Sequence, residues 1–177
     1  MQSRRDAGIT ALVLGFFASA WFGWGQAAPP VGLGPWLTVG SLLALAVAAA
    51  GAFVGFRSPA STAALHDRAA GRRYGVVVGT EFGLAGLGAG VLGIIGQADY
   101  IPVWVCAVVG IHLLPLAPLL RDRRLVALGV LITMVALVAL VAGLTHTATP
   151  STVTGVGAGL LLLSFATAEL AGALLEG

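Results

Sequence analysis

Long apolar segments alternate with short polar ones along this 177-residue chain. A helix of ~20 apolar residues is long enough to cross the hydrocarbon core of a bilayer. Six segments reach that length, at about 8–28, 35–56, 74–96, 101–120, 125–144 and 153–175. No stretch keeps the period of two that membrane β-strands require. The pattern predicts an all-α fold: one six-helix transmembrane bundle spanning residues 1–177 as a single integral membrane domain.

The polar segments mark the turns. Pro29-Pro30 lies in an uncharged link between spans one and two, and Arg57 to Arg73 forms the longest polar stretch. Within it, Ser61 is expected to cap a short helix through Ala70, ended by Gly71. Asp99-Tyr100-Ile101-Pro102 turns span three into span four, with Asp99, Tyr100 and Trp104 as ordinary interfacial anchors. Thr145 to Thr152 precedes span six and carries a solvated His146. Span five has no ionisable residue and reads as lipid-facing or structural.

Composition agrees with the pattern. Hydrophobic residues make up 58% of the chain and charged residues 9%, against about 25% charged in a soluble domain. The single Cys106 lies within span four, so no disulfide framework exists. All nine basic residues are arginine, and with the Ala, Gly, Val and Leu bias this resembles proteins of GC-rich bacteria. Their placement is informative. Arg4 and Arg5 precede span one, Arg57, Arg68, Arg72 and Arg73 separate spans two and three, and Arg121, Arg123 and Arg124 separate spans four and five. Every arginine falls on one side of the six-span map. The positive-inside rule then predicts cytoplasmic N and C termini and a multi-pass protein of the bacterial inner membrane. The first segment resembles a signal peptide at Ala18-Ser19-Ala20. Its apolar run continues through Trp21 and Trp24, so an uncleaved span is expected.

Small residues set expectations for helix packing. Ala44 to Ala52 in span two, and Gly75, Gly79, Gly83, Gly86, Gly88 and Gly90 in span three, have the spacing that lets helix backbones approach closely. On that basis span three is expected at the centre. Phe17, Trp21 and Trp24 share a face of span one, which suits an aromatic belt, packing, or the wall of a lipophilic pocket.

Ionisable side chains inside a bilayer are costly and normally face a bundle interior or a wet cavity. Three are present: Glu81, His112 and Glu169. At ~1.5 Å per residue, Glu81 lies ~10 Å past Tyr74, His112 ~13 Å before Arg121, and Glu169 ~10 Å before Glu176. All three fall in the same half of the membrane. A carboxylate beside an imidazole can hold and pass a proton, which suits a relay in a carrier or acid–base catalysis. A metal site of one His and two Glu lacks a paired-His motif, and a buried pair that only fixes helix register is the plain alternative. Pro115 and Pro118 leave the carbonyls of Ile111 and Leu114 without helical donors beside His112, which favours a wet site.

Glu81-Phe82, then Tyr100-Ile101-Pro102-x-Trp104, then Gly110-x-His112-Leu113-Leu114-Pro115-Leu116-Ala117 resembles uncharacterised small bacterial multi-spanning membrane proteins. The resemblance covers spans three and four, and it implies no activity. Walker, Rossmann, HExxH, GxSxG and CxxC motifs are absent from the sequence, which argues against the enzymes built on them. No cofactor, metal or nucleic-acid partner is expected. The sequence therefore suggests a small proton-linked carrier or channel-like protein using Glu81, His112 and Glu169. The alternatives are an intramembrane acid–base enzyme on a lipophilic substrate, with the span-one aromatics as its wall, and a non-catalytic accessory subunit. The expected partners are the lipid bilayer, anionic lipid at Arg68, Arg72 and Arg73, and a second copy packed through glycine-rich faces.

Overall fold

The first helix begins at a local signal: the Ser3 hydroxyl accepts from the Asp6 N–H, and α1 runs Arg4–Gly25. Five more helices follow, α2 (Gly34–Arg57), α3 (Arg68–Ile94), α4 (Ile101–Leu120), α5 (Arg124–Leu144) and α6 (Pro150–Leu175). The computed structural model describes residues 3–58, 68–120 and 122–175. All six helices are long and apolar enough to cross a membrane, which is consistent with an integral membrane protein. Pro35 occupies the first turn of α2, where a missing N–H costs nothing. Gly96, in the left-handed region at φ 74°, ends α3 ahead of a short 3-10 turn, Ala98–Tyr100.

Neighbouring helices run antiparallel, as close contacts along their lengths show. A Cβ added to Gly8 would lie 2.6 Å from the Gly55 nitrogen, and one on Gly15 would lie 2.9 Å from the Ala44 carbonyl oxygen, so α1 and α2 touch backbone to backbone. The small residues of Ala44 to Ala52 thus pack as their spacing implied. Gly25 meets Gly155, and Phe22 lies over Gly159, so α6 closes on the other side of α1. Helix α5 seats Val135 against Gly157 of α6 and Gly129 against Gly110 of α4. Leu128, Ile132 and Ala139 of α5 are fully buried, so one face of this helix belongs to the core, while Val130, Met134 and Leu137 on the other are exposed. The packing order is α2–α1–α6–α5–α4–α3.

Helix α3 ends that row, where a central position was expected. Its substantial helix contact is with α4 alone. Of its apolar window 0% is buried, against 44% for α1. A Cβ on Gly75, Gly79, Gly83, Gly86, Gly90 or Gly93 would meet nothing within 4 Å. Small-residue spacing permits close approach but does not supply a partner. The helix also starts earlier than expected, since Arg68 to Gly71 are already helical and Gly71 does not end a separate helix. One interior glycine costs a helix only ~1 kcal/mol relative to alanine. The expected cap at Ser61 lies outside the described residues.

Candidate functional site

The α3–α4 hairpin keeps one antiparallel register along its length. Near the turn, the Trp104 indole Nε1–H donates to the Leu84 carbonyl at 2.9 Å, and the ring lies against Gly88. A side chain at Gly88 would collide with the indole, so this glycine is needed where the other glycines of α3 are not. Trp104 is therefore a clip between helices as well as an interfacial ring. Two turns further along α4, His112 faces back onto α3. Its Nε2 lies 2.9 Å from Glu81 Oε2, with the two side chains 9% and 15% exposed.

The imidazole also lies near the backbone of Val77, one turn before Glu81. One hydrogen between Nε2 and Oε2, carried by either partner, satisfies the 2.9 Å contact.

Glu169 does not join this pair. Its side chain is 5% exposed, and its Oε1 accepts from Arg124 Nη1 at 2.9 Å, tying the end of α6 to the start of α5. Arg124 itself is 66% exposed, so the guanidinium spans from solvent to a buried carboxylate. The Asp122 carboxylate accepts the Arg124 backbone N–H at 2.9 Å and steadies the start of α5. Sequence reasoning missed Arg124 as the partner of Glu169. The available signal was that Arg124 opens α5 and Glu169 lies about two turns from the end of α6 on the same arginine-bearing side, within reach of a long side chain.

The other candidates separate as well. Trp21 is buried and stacks on Trp24 at 5.3 Å, whereas Phe17 is exposed and pairs edge-on with Phe16. The shared face of span one is thus split between core and surface and lines no common wall with the Glu81–His112 pair. Pro115 and Pro118 sit inside a continuous α4 just after His112. Arg72 is exposed near the start of α3; the side chains of Arg68 and Arg73 lie outside those described. Among the described residues, no group of three or more His, Cys, Asp or Glu side chains gathers as a metal site. Comparison with family models, curated proteins and solved structures gave no match.

Proposed function

We propose that this is a small proton-linked carrier or channel-like membrane protein in which Glu81 and His112 together take up and release one proton. The observation that carries the reading is the 2.9 Å Nε2–Oε2 contact between two largely buried titratable side chains on membrane-spanning helices. Ionisable groups inside a bilayer are costly and commonly belong to proton relays or solute paths. Its location supports the same reading. The pair lies at the seam between α3 and α4, ~10 Å from the arginine-bearing end of the hairpin. On the arginine map, that seam opens toward the cytoplasmic half of a bacterial inner membrane, with both termini cytoplasmic. Glu169 belongs to the frame, holding α5 and α6 together through Arg124, and the proton chemistry rests on Glu81 and His112.

The test uses purified protein in liposomes containing a pH-sensitive dye, with an imposed proton gradient. Wild type is expected to dissipate the gradient. Glu81→Gln keeps a polar group beside Nε2, but it has no proton to give, so flux falls to the level of empty liposomes. A folded Glu81→Gln protein with wild-type flux contradicts the reading.

A further inference from the structure

We infer that Trp104 is a positioning residue: seated at Gly88, its indole sets the register of α3 on α4 and so brings Glu81 to His112. Its effect on flux rests on the proton-binding reading of the pair; its effect on the contact does not.

The register has few other determinants. Helix α3 leans on α4 alone among the long helices, so its placement against His112 is decided along this one seam. Packed helices usually fix their register by interdigitating ridges and grooves of side chains. Beyond Glu81, the half-buried positions Ala85, Gly88 and Ala89 of α3 carry only a methyl group or a hydrogen, which makes a smooth face. Val77 packs against the buried core, but Val76 and Val78 flank it, so an apolar contact there does not select one register.

One large group is set into the smooth face. The Trp104 Nε1–H donates to the Leu84 carbonyl at 2.9 Å, and a Cβ on Gly88 would collide with Nε1. The ring therefore fits only opposite a glycine. A rotation by one residue would bring Leu87 or Ala89 to it, and a slip by one turn would bring Leu84, Ala85, Val91 or Leu92. Each of these has the Cβ that the ring excludes.

The pair depends on that choice. Glu81 is the only acidic residue of α3. A one-turn slip moves it by ~5.4 Å, out of reach of the imidazole. Val77, Val78, Leu84 or Ala85 would then stand in its place, and none can share a proton. On α3, Gly88 stands ~10 Å along the axis from Glu81, and on α4 Trp104 stands ~12 Å from His112, so the two contacts belong to one register.

The test reads the nitrogen-15 signal of His112, the unfolding midpoint and proton flux on the same full-length variants in lipid. Trp104→Ala removes the ring, and Gly88→Ala fills the notch. In both, the His112 signal is expected to become that of Glu81→Gln, and flux to fall to the level of empty liposomes. Combining the two should add nothing to either alone, because Gly88 acts through the indole. Gly86→Ala and Gly90→Ala, on the open side of the same helix, should keep the wild-type signal and flux. Trp104→Phe keeps a ring at the notch without the hydrogen bond and should fall between wild type and Trp104→Ala. A merely structural role lowers the midpoint and leaves the His112 signal of the folded protein unchanged; that result in Trp104→Ala or Gly88→Ala overturns the inference. If Trp104→Ala does not fold, Gly88→Ala and Trp104→Phe decide the question. Signal and flux both retained in the variants refute the positioning role and leave the carrier standing. A His112 signal that is lost with the ring, in a protein without flux, supports the positioning role and refutes the carrier.

Discussion

Helices α1 and α3 both carry glycines along their length, more of them on α3, and those glycines have opposite surroundings. On α1, Gly8, Gly15 and Gly25 each touch a neighbouring helix closely enough that an added Cβ would meet its backbone. On α3, Gly75, Gly79 and Gly83 recur every four residues, a regular small-residue stripe, and touch nothing. Gly51 of α2 and Gly155 of α6 supply complementary surfaces on either side of α1; nothing comparable faces α3. Small residues are a licence for close approach, and the neighbour decides whether it is used. The packed α1 seams hold the bundle, while α3 is attached through specific polar contacts, and that is where the Glu81–His112 pair lies.

The comparison breaks most readily at a packed glycine. Gly51→Val places new atoms where even a Cβ would lie 2.6 Å from the Leu12 nitrogen. We expect a loss of about 3 kcal/mol or failure to fold, since overpacking a tight seam typically costs ~1–3 kcal/mol. Gly79→Ala on α3 is expected to be neutral or to gain up to ~1 kcal/mol from helix propensity. Thermal unfolding in detergent compares the two. Equal destabilisation by both changes would dissolve the contrast between the seams.

A smaller effect tests the other buried carboxylate. Arg124→Ala strands Glu169 without its partner and is expected to cost about 2 kcal/mol, in the range for a buried group losing its hydrogen bond. Adding Glu169→Leu to that variant should recover most of the loss, because a buried ion pair is often replaceable by an apolar side chain. Chemical unfolding of the two single variants and the double variant reads the coupling. Neither change should alter proton flux in liposomes if Glu169 belongs to the frame.

The smallest expected effect lies at the clip near the turn. Trp104→Phe removes the indole donor and keeps most of the ring, at a cost of about 1 kcal/mol for one neutral hydrogen bond. The global unfolding midpoint should barely move, while amide exchange in α3 rises and that in α1 does not. An equal rise in both helices would mean that α3 is not a separately held element.

Much of this was legible before any coordinates. The six spans follow from apolar run length, and the Glu81–His112 contact from depth counted along two antiparallel helices. Depth is a one-dimensional property, and it placed Glu169 at the same level without saying which way it faces. Its actual partner, Arg124, lies on the other arm of the α5–α6 hairpin, joined by residues 145–149, and depth alone does not say whether Glu169 faces that arm or the α3–α4 hairpin. The periphery of α3 was hidden for the same reason. Glycine spacing is visible in a sequence, but the presence of a facing helix depends on the order in which all six are arranged. The nearness of the ring to Val77 was hidden because a backbone is present at every position, and only geometry selects one.

The proton proposed to be shared by Glu81 and His112 can be observed directly. Nitrogen-15 magnetic resonance of protein labelled at histidine distinguishes the ring nitrogens, and the chain has only three histidines, with His112→Gln assigning the signal. The account predicts that Nε2 of His112 shows a strongly hydrogen-bonded signal that changes as the pair titrates, and that this signal is lost in Glu81→Gln. A His112 signal that is the same with and without the Glu81 carboxylate, or that does not respond to pH, would contradict the one-proton site.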